Sequence, residues 1–139
     1  LYSIIGQGVA EDPDNPVAIT DVDGFHIAYI GSEPGKGASF HSHPTVEVFI
    51  PLTGSWSIYW NQGDDREEVI LGPMDCISVP PNVMRGFYNA GDSHALMIGI
   101  VGGTEASKVD WPEDILDQAR ATGLKLDADG NIIESAAAE

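Results

Sequence analysis

The sequence predicts an all-β domain, a closed sandwich or barrel of short strands that ends in one short helix. Sixteen Gly and nine Pro among the 139 residues separate short apolar runs, a pattern typical of all-β domains with many turns. Apolar residues make up 42% of the chain, which is enough for an ordinary globular core. The length fits a single domain over residues 1–139, with the core barrel at about residues 17–102.

The first half of the chain predicts a terminal arm followed by four strands. Ile4 and Ile5 can form an edge strand, and the acidic, proline-containing residues 11–16 then form turns. Residues 31–37 are expected to form a loop because turn-forming residue types dominate them. The β-prone runs that remain predict strands at residues 17–20, 25–30, 40–43 and 46–52.

The second half predicts five strands and a hairpin. Bulky residues alternate at Trp56, Ile58 and Trp60, which places the three side chains on one face of a strand without saying which face. Residues 61–65 are expected to form a hairpin loop before a returning strand. The predicted strands lie at residues 55–60, 67–71, 76–79, 86–89 and 94–101.

The tail predicts the helix, at about residues 111–122. Asp110 is expected to cap its N-terminus, with a proline in the first turn and acidic residues near the positive end of the helix dipole. Gly123 is expected to end the helix. A small extended piece is expected at residues 124–133, and residues 135–139 are expected to fray.

The composition excludes several classes of partner. Twenty-two Asp and Glu face six Lys and Arg, giving a formal net charge of -16. Such a surface repels nucleic acid and anionic membranes, and no apolar run has transmembrane length. No targeting segment is visible, so we expect a cytoplasmic protein that acts on a small molecule. The single cysteine, Cys76, cannot form an internal disulfide and is expected to be a small buried apolar residue.

Three residues form a candidate metal site. His41 and His43 are two residues apart, so on a strand both imidazoles point to the same face. Glu47 has the same parity, and its carboxylate joins them if the bend at Pro44-Thr45 keeps the alternation. Two histidines and a carboxylate on one face can bind a divalent metal such as Fe, Mn, Ni or Zn. The alternative is a chance His-x-His pair on an exposed strand.

The spacing of these residues resembles the two motifs of the cupin superfamily. Between Gly35 and Gly54, the two histidines and the glutamate match the first cupin motif at every position. Beyond the intervening residues 55–73, the second motif keeps its spacing but not all its residues. Cupins have Gly, Pro, Gly, His and Asn where this chain has Met74, Pro80, Asn82, Arg85 and Asn89.

The resemblance implies a cupin-type double-stranded β-helix, that is, a jelly-roll barrel, with the short C-terminal helix added. By analogy it also implies a homodimer. It says little about the reaction, because cupins resemble one another while catalysing or binding many different things. At the altered position 82 the turn is expected to survive, since Asn tolerates left-handed backbone angles better than other non-Gly residues.

Arg85 has two competing interpretations. In metal-binding cupins this position holds a histidine ligand, whereas a guanidinium has no lone pair to give, so the motifs supply at most three ligands. Either a metal binds the triad and Arg85 stands aside to hold a substrate carboxylate or oxyanion, or no metal binds and Arg85 pairs with Glu47 across the barrel. A +2 and a +1 charge about 5 Å apart repel by about 6–7 kcal/mol at an effective dielectric of ~20, which Glu47 and an anionic substrate would partly offset.

Two functional hypotheses follow. The first is a metal-dependent enzyme in which His41, His43 and Glu47 hold the metal, and Arg85 and Glu47 are the catalytic groups. Its substrate is a small oxygenated or carboxylate-bearing compound. The resemblance to oxygenating cupins favours a dioxygenase, with isomerase and lyase chemistry left open. The second is a metal-free barrel, a ligand-binding module or an acid/base isomerase, in which the triad transfers protons or forms hydrogen bonds.

Other residues could contact the substrate beside Arg85. Phe49 and Phe87 have the parity of the site residues, although the same parity suits core positions. His26 lies on a strand just upstream and could line the cavity, or be a surface or hydrogen-bonded histidine outside the site. His94 follows a polar turn and is expected at the surface.

Overall fold

The computed structural model describes residues 1–9, 12–107, 109–126 and 132–135. Within these residues it contains one α-helix, α1 (Glu113–Ala121), one short 3-10 helix (Gly63–Asp65) and twelve strands. The strands are β1 (Tyr2–Ile5), β2 (Val17–Ile19), β3 (Phe25–Ser32), β4 (Gly37–His41), β5 (Glu47–Pro51), β6 (Trp56–Trp60), β7 (Glu67–Leu71), β8 (Ile77–Val79), β9 (Arg85–Asn89), β10 (Ala95–Gly102), β11 (Leu124–Leu126) and β12 (Ile132–Ser135).

Two sheets form the sandwich. The larger sheet has the strand order β2-β1-β3-β10-β5-β8, and the smaller has the order β4-β9-β6-β7. All pairs in them are antiparallel except β1 with β2, which are parallel. Since strands distant in sequence lie side by side in both sheets, the chain winds through them as a jelly roll, and the predicted fold class is confirmed.

Apolar side chains of both sheets fill the space between them. Trp56 and Ile58 are completely buried, so the alternating face of β6 that the sequence left unassigned points into the core. Successive inward positions on facing strands meet because side chains alternate along a strand. The buried core comprises Phe49, Trp56, Ile58, Leu71, Val79, Phe87, Ala95 and Met97.

Two strand boundaries around the predicted loop at residues 31–37 differ from expectation. β3 continues to Ser32, because its pairing with β10 runs without interruption from Phe25 to Ser32. β4 begins at Gly37, which pairs with Tyr88 of β9, and ends at His41. A side chain at Gly37 would collide with the backbone of Phe87, so the glycine that suggested a loop in fact permits close strand pairing.

The two glycine positions that the second motif lacks keep a glycine-like backbone. Met74 has φ +73° and Asn82 has φ +63°, both in the left-handed region that favours glycine. The turn predicted to survive at Asn82 is therefore present. Met74 takes the same conformation with its side chain 86% exposed, so no neighbour restricts it.

The helix starts later than predicted. Pro112, not Asp110, precedes its first residue. Asp110 instead forms a bridge with Ser42, each backbone N–H donating to the other's carbonyl oxygen at 2.7 and 2.9 Å. Gly123 follows the helix with φ +92°, as expected for a C-terminal cap. No helix in the described part of the chain is long and apolar enough to cross a membrane.

The last described elements are β11 and β12, which pair antiparallel. They agree with an extended piece after the helix, although residues 127–131 lie outside the described residues. Ser135 still pairs with Leu124, so the fraying predicted from that residue onward does not begin there. Residues 136–139 also lie outside the described part.

Cys76 is exposed, so the prediction that it is buried was wrong. The strand expected to contain it, β8, begins one residue later, at Ile77. β8 lies at the edge of the larger sheet, and the turn that leads into it faces solvent. Placement at a turn before an edge strand outweighs the tendency of cysteine to be buried.

Candidate functional site

Four polar side chains from three strand ends form one buried cluster. His41 ends β4, His43 lies in the bend after it, Glu47 begins β5 and Arg85 begins β9. None is more than 5% exposed. The pairing of β4 with β9 sets His41 opposite Arg85, which brings the two predicted motifs together. Because charged groups are rarely buried unless paired, the cluster is a built feature of the barrel.

His41 presents a free ring nitrogen to the cluster. Its Nδ1 lies 2.7 Å from the carbonyl oxygen of Ser39, which can only accept, so Nδ1 carries the hydrogen and Nε2 the lone pair. Burial lowers the pKa of His41 to about 4, with the charge of Arg85 adding to the effect and the Ser39 bond opposing it. The ring is therefore neutral near pH 7 and able to act as a ligand or a base.

His43 is held between Thr45 and Arg85. Its Nδ1 lies 2.9 Å from Thr45 Oγ1, and its Nε2 lies 2.6 Å from Arg85 Nη2. A guanidinium nitrogen can only donate, so we assign the Nε2 lone pair as the acceptor and the ring hydrogen to Nδ1, which donates to the threonine hydroxyl. This is the tautomer in which Nε2 could bind a metal.

Glu47 is a buried carboxylate that remains ionised. Burial alone would raise its pKa, but the pKa is lowered, because the positive charge of Arg85 and the hydrogen bond that Arg85 donates stabilise the carboxylate. Its Oε2 lies 3.0 Å from His43 Nε2 and 2.8 Å from Arg85 Nη2. Glu47 thus supplies the negative charge that the buried guanidinium requires.

Arg85 donates hydrogen bonds to the same atoms of His43 and Glu47 that a metal ion would bind. Its Nη2 donates to both His43 Nε2 and Glu47 Oε2, and its Nη1 donates to the Val83 carbonyl oxygen at 2.8 Å. The ion pair that the sequence offered as one of two alternatives is present. The Nε–H of Arg85 is buried and finds no acceptor among the described residues.

The donor set nevertheless fits a divalent metal. One ligand atom from each of His41, His43 and Glu47 lies within 4.8 Å of the others, and two histidines with a carboxylate suit Fe, Mn, Ni or Zn. His41 and Glu47 are in the unprotonated form that coordination needs, and His43 Nε2 carries a lone pair in the assigned tautomer. The three residues could therefore hold a metal ion, provided that Arg85 Nη2 gives up its contacts with His43 and Glu47.

A cavity of about 260 Å³ opens beside the triad, and we call it the first cavity. Its walls come mainly from β3, β4 and β10, and His41 and Glu47 border it from one side. Residues 6–9 of the N-terminal arm also border it. Most of the lining is apolar, which suits a small ligand with few polar groups.

His26 borders the first cavity, as does one of the two predicted phenylalanines. His26 is 3% exposed, and its Nδ1 accepts the backbone N–H of Gly8 at 2.9 Å. The ring hydrogen of the neutral tautomer is therefore on Nε2, which is buried and has no acceptor among the described residues. Phe87 borders the cavity. Phe49 packs against the ring of Phe87 in the core and does not line the cavity.

Trp111 is a site residue that sequence reasoning missed. It borders the first cavity, and its ring centroid lies 4.9 Å from that of His41. It lies just before α1, so the segment leading into the helix, and not the helix, borders the cavity. In the sequence, the position of Trp111 directly before a helix-starting proline was the available sign of a role for this residue. Its place beside His41 depends on the bridge between Ser42 and Asp110, which the sequence does not reveal.

A second cavity of about 210 Å³ lies on the other side of the Arg85–Glu47 pair. Arg85 borders it and Glu47 does not, whereas Glu47 borders the first cavity and Arg85 does not. The ion pair therefore stands between the two spaces. The second cavity is lined by Ile58, Trp60, Ile77, Ser78, Val79, Pro80, Val83 and Arg85.

Comparison with known families agrees with this architecture. The family model described as "Cupin domain" matches residues 29–101, more than half of the chain. The chain belongs to the cupin family. The matched range contains both motifs, all four cluster residues and most strands of the two sheets.

Similar proteins carry the cupin fold in different settings. A germin-like protein of subfamily 1 (member 2) from Arabidopsis thaliana is 29% identical in an alignment of 100 positions that covers 61% of this chain and 44% of that relative. The DMSP lyase DddQ from Ruegeria pomeroyi superposes with TM-score 0.58 at 18% identity, covering 76% of this chain and 48% of that one. An oxalate oxidase superposes with TM-score 0.55 at 16% identity, covering 70% and 57%. This cupin thus spans less than half of the curated relative, and the structural likenesses show the fold alone.

Proposed function

We propose that this cupin is a metal-dependent enzyme, of dioxygenase type, that acts on a small and largely apolar oxygen-bearing compound in the first cavity. The observation that carries the proposal is the triad itself. Three buried ligand atoms lie within 4.8 Å of one another beside a mostly apolar cavity that His41 and Glu47 border. A protein gains nothing for stability from burying three such groups together, so a site function explains them better.

His41, His43 and Glu47 would hold the metal and leave the remaining coordination positions for substrate. A divalent metal on two histidines and a carboxylate supplies Lewis acidity and, if it is iron, oxygen activation. Ser39 and Thr45 fix the two rings through their Nδ1 atoms, so the lone pairs stay directed at the site. Such supporting bonds keep ligand geometry constant during a reaction.

The residues around the first cavity would select and orient the substrate. The Nε2–H of His26 is an unused donor beside a mostly apolar wall, and a carbonyl, enol or carboxylate oxygen would satisfy it. Phe87 and Trp111 would pack against the apolar part of the molecule. Arg85 does not border the first cavity, so a direct contact of Arg85 with substrate requires the guanidinium to turn from its present position and stays a prediction. A direct contact of Phe49 with substrate stays a prediction.

A metal-free function is the second candidate, and the position of Arg85 favours it. The guanidinium already satisfies His43 Nε2 and Glu47 Oε2. Without metal, His41 has a free lone pair and a pKa near 4, so it would be a weak base in an acid/base isomerase or a hydrogen-bond acceptor in a binding module. This candidate differs from the first in needing no ion.

The similar proteins support an enzyme but do not choose the reaction. Their names include an oxalate oxidase and a DMSP lyase, so one fold supports oxidation and elimination. We prefer dioxygenation because the triad leaves coordination positions open for both substrate and O2. A homodimer in the cytoplasm remains our expectation for the assembly and its location.

The proposal is tested by loading the protein with each ion and measuring both binding and oxygen uptake. We expect calorimetry to show one site for at least one of Fe²⁺, Mn²⁺, Ni²⁺ and Zn²⁺, absent in His41→Ala. With the iron form and a panel of small aromatic and enolic carbonyl compounds, we expect oxygen consumption at an electrode. Turnover that persists without O2 would replace dioxygenation with isomerase or lyase chemistry, and absence of any ion binding would leave the metal-free candidate.

A further inference from the structure

The second cavity combines apolar walls with one buried cation. Arg85 is the charged side chain among the described residues that border it. The guanidinium is completely buried, and its Nε–H has no acceptor in the described part of the protein. An unsatisfied hydrogen on a buried cation is unfavourable, so a ligand that accepts it gains binding free energy.

We propose that the second cavity binds a small carboxylate carrying an apolar group, and that this carboxylate favours metal binding at the triad. The first half of the proposal stands on the cavity and Arg85 alone. The second half rests on the metal site proposed above. The site is distinct from the first cavity, since none of the residues that border one cavity border the other.

A carboxylate is the ligand that fits the Nε and Nη2 edge of Arg85 once the guanidinium turns towards the second cavity, because in this structure Nε is buried and Nη2 donates to His43 and Glu47. The Nε–H of a guanidinium and one hydrogen of Nη2 point the same way, and together they match the two oxygens of a carboxylate. The remaining walls, chiefly Ile58, Trp60 and Ile77, suit an aliphatic or aromatic group. The volume of about 210 Å³ corresponds to about seven water molecules at ~30 Å³ each, which suits a compound of the size of butyrate or benzoate.

Such a ligand would remove the obstacle to metal binding. A carboxylate on the Nε and Nη2 edge takes an Nη2 hydrogen that His43 or Glu47 accepts in this structure, and so frees a lone pair for the metal. It also adds a negative charge beside Arg85, which weakens the repulsion between the guanidinium and a divalent ion. By linkage, the metal must then strengthen carboxylate binding by the same factor.

The carboxylate half is tested by titrating metal-free, chelator-treated protein with benzoate and, as an uncharged control of the same shape, benzamide. We expect a saturable shift of the Arg85 Nε–H NMR signal with benzoate and none with benzamide. Val83, at the mouth of the second cavity, is 37% exposed, so Val83→Trp should fold and weaken benzoate binding at least about tenfold. Ile70→Trp, also at an exposed site and outside both cavities, should bind benzoate normally.

The coupling half is tested by measuring metal affinity with and without saturating benzoate. We expect an increase of about fivefold or more in the wild type and none in Val83→Trp. Unchanged metal affinity despite benzoate binding overturns the coupling. Benzoate binding that Val83→Trp leaves intact, or no benzoate binding at all, overturns the second site. If no ion binds under any condition while benzoate does, the proposed metal function fails and the carboxylate site stands.

Discussion

The bend at residues 41–47 and the start of β9 meet in the same buried cluster but bring opposite chemistry to it. The bend contributes only acceptors: two ring lone pairs and a carboxylate. β9 contributes Arg85, which can only donate and is always positive. Arg85 Nη2 lies 2.6 and 2.8 Å from two of those acceptors. The buried acceptors that could bind a metal ion are therefore already satisfied by the guanidinium of Arg85. A metal ion must compete with Arg85 for them.

The largest expected effect comes from breaking the pair on the acceptor side. Glu47→Gln leaves Arg85 buried without a counter-charge, and should lower the free energy of unfolding by about 3–5 kcal/mol in urea titrations. Glu68→Gln is the matched control, because Glu68 pairs with Arg66 at the surface and this variant should lose much less stability than Glu47→Gln.

A double variant sharpens that comparison. Adding Arg85→Met to Glu47→Gln removes the unpaired charge, so the double variant should be more stable than Glu47→Gln alone. Equal losses from Glu47→Gln and Glu68→Gln, or no recovery in the double variant, would mean that the buried pair does not govern the cluster.

The next effect is a pH dependence from His41. Its pKa is about 4 in the folded protein against an ordinary 6.5, so between these pH values the unfolded chain binds a proton that the folded chain does not. Stability should therefore be fully present above about pH 6.5 and fall by about 3 kcal/mol towards pH 4. Urea titrations of metal-free protein at several pH values measure this slope, and His41→Asn should flatten it. An unchanged slope in the variant would assign the effect to other groups.

Metal binding should stabilise the fold only while the triad is complete. At about 100 times its Kd, an ion adds about 2.7 kcal/mol to the wild type, and His41→Ala should lose this gain in thermal unfolding with and without the ion. The exposed His94, placed at the surface as predicted, provides the control, since His94→Ala should keep the full gain. A gain retained by His41→Ala would locate the ion elsewhere.

The smallest effect tests the donor side of the comparison. Arg85→His replaces the competing cation with a fourth potential ligand, and should tighten metal binding at least about tenfold, which is about 1.4 kcal/mol. Calorimetric titration measures it, with Arg66→His as the surface control. Unchanged affinity would show that position 85 neither blocks nor reaches the metal.

The sequence predicted the fold and the composition of the triad because both depend on local spacing. Turn residues and alternation located most strands within a residue or two, and the motif placed His41, His43 and Glu47 together. The parity argument for His43 was incomplete, since β4 ends at His41 and the bend, not the strand, positions the second histidine.

What the sequence could not predict depends on contacts between distant segments. Whether Arg85 stands beside the triad or occupies it follows from the pairing of His41 with Arg85 and from the side-chain conformation. Trp111 joins the site only through the bridge between Ser42 and Asp110. Cys76 was misplaced because its exposure depends on β8 being an edge strand, which local pattern does not reveal.

Elemental analysis is the most direct test of the claim that the triad holds a metal ion despite Arg85. Wild type and His41→Ala should be purified without a metal-binding tag, then incubated separately with each candidate ion, desalted and measured by mass spectrometry. We predict about one equivalent of iron, manganese, nickel or zinc per chain in the wild type and close to none in His41→Ala. No bound metal in either protein after every incubation would contradict the claim and leave Arg85 as the permanent partner of Glu47.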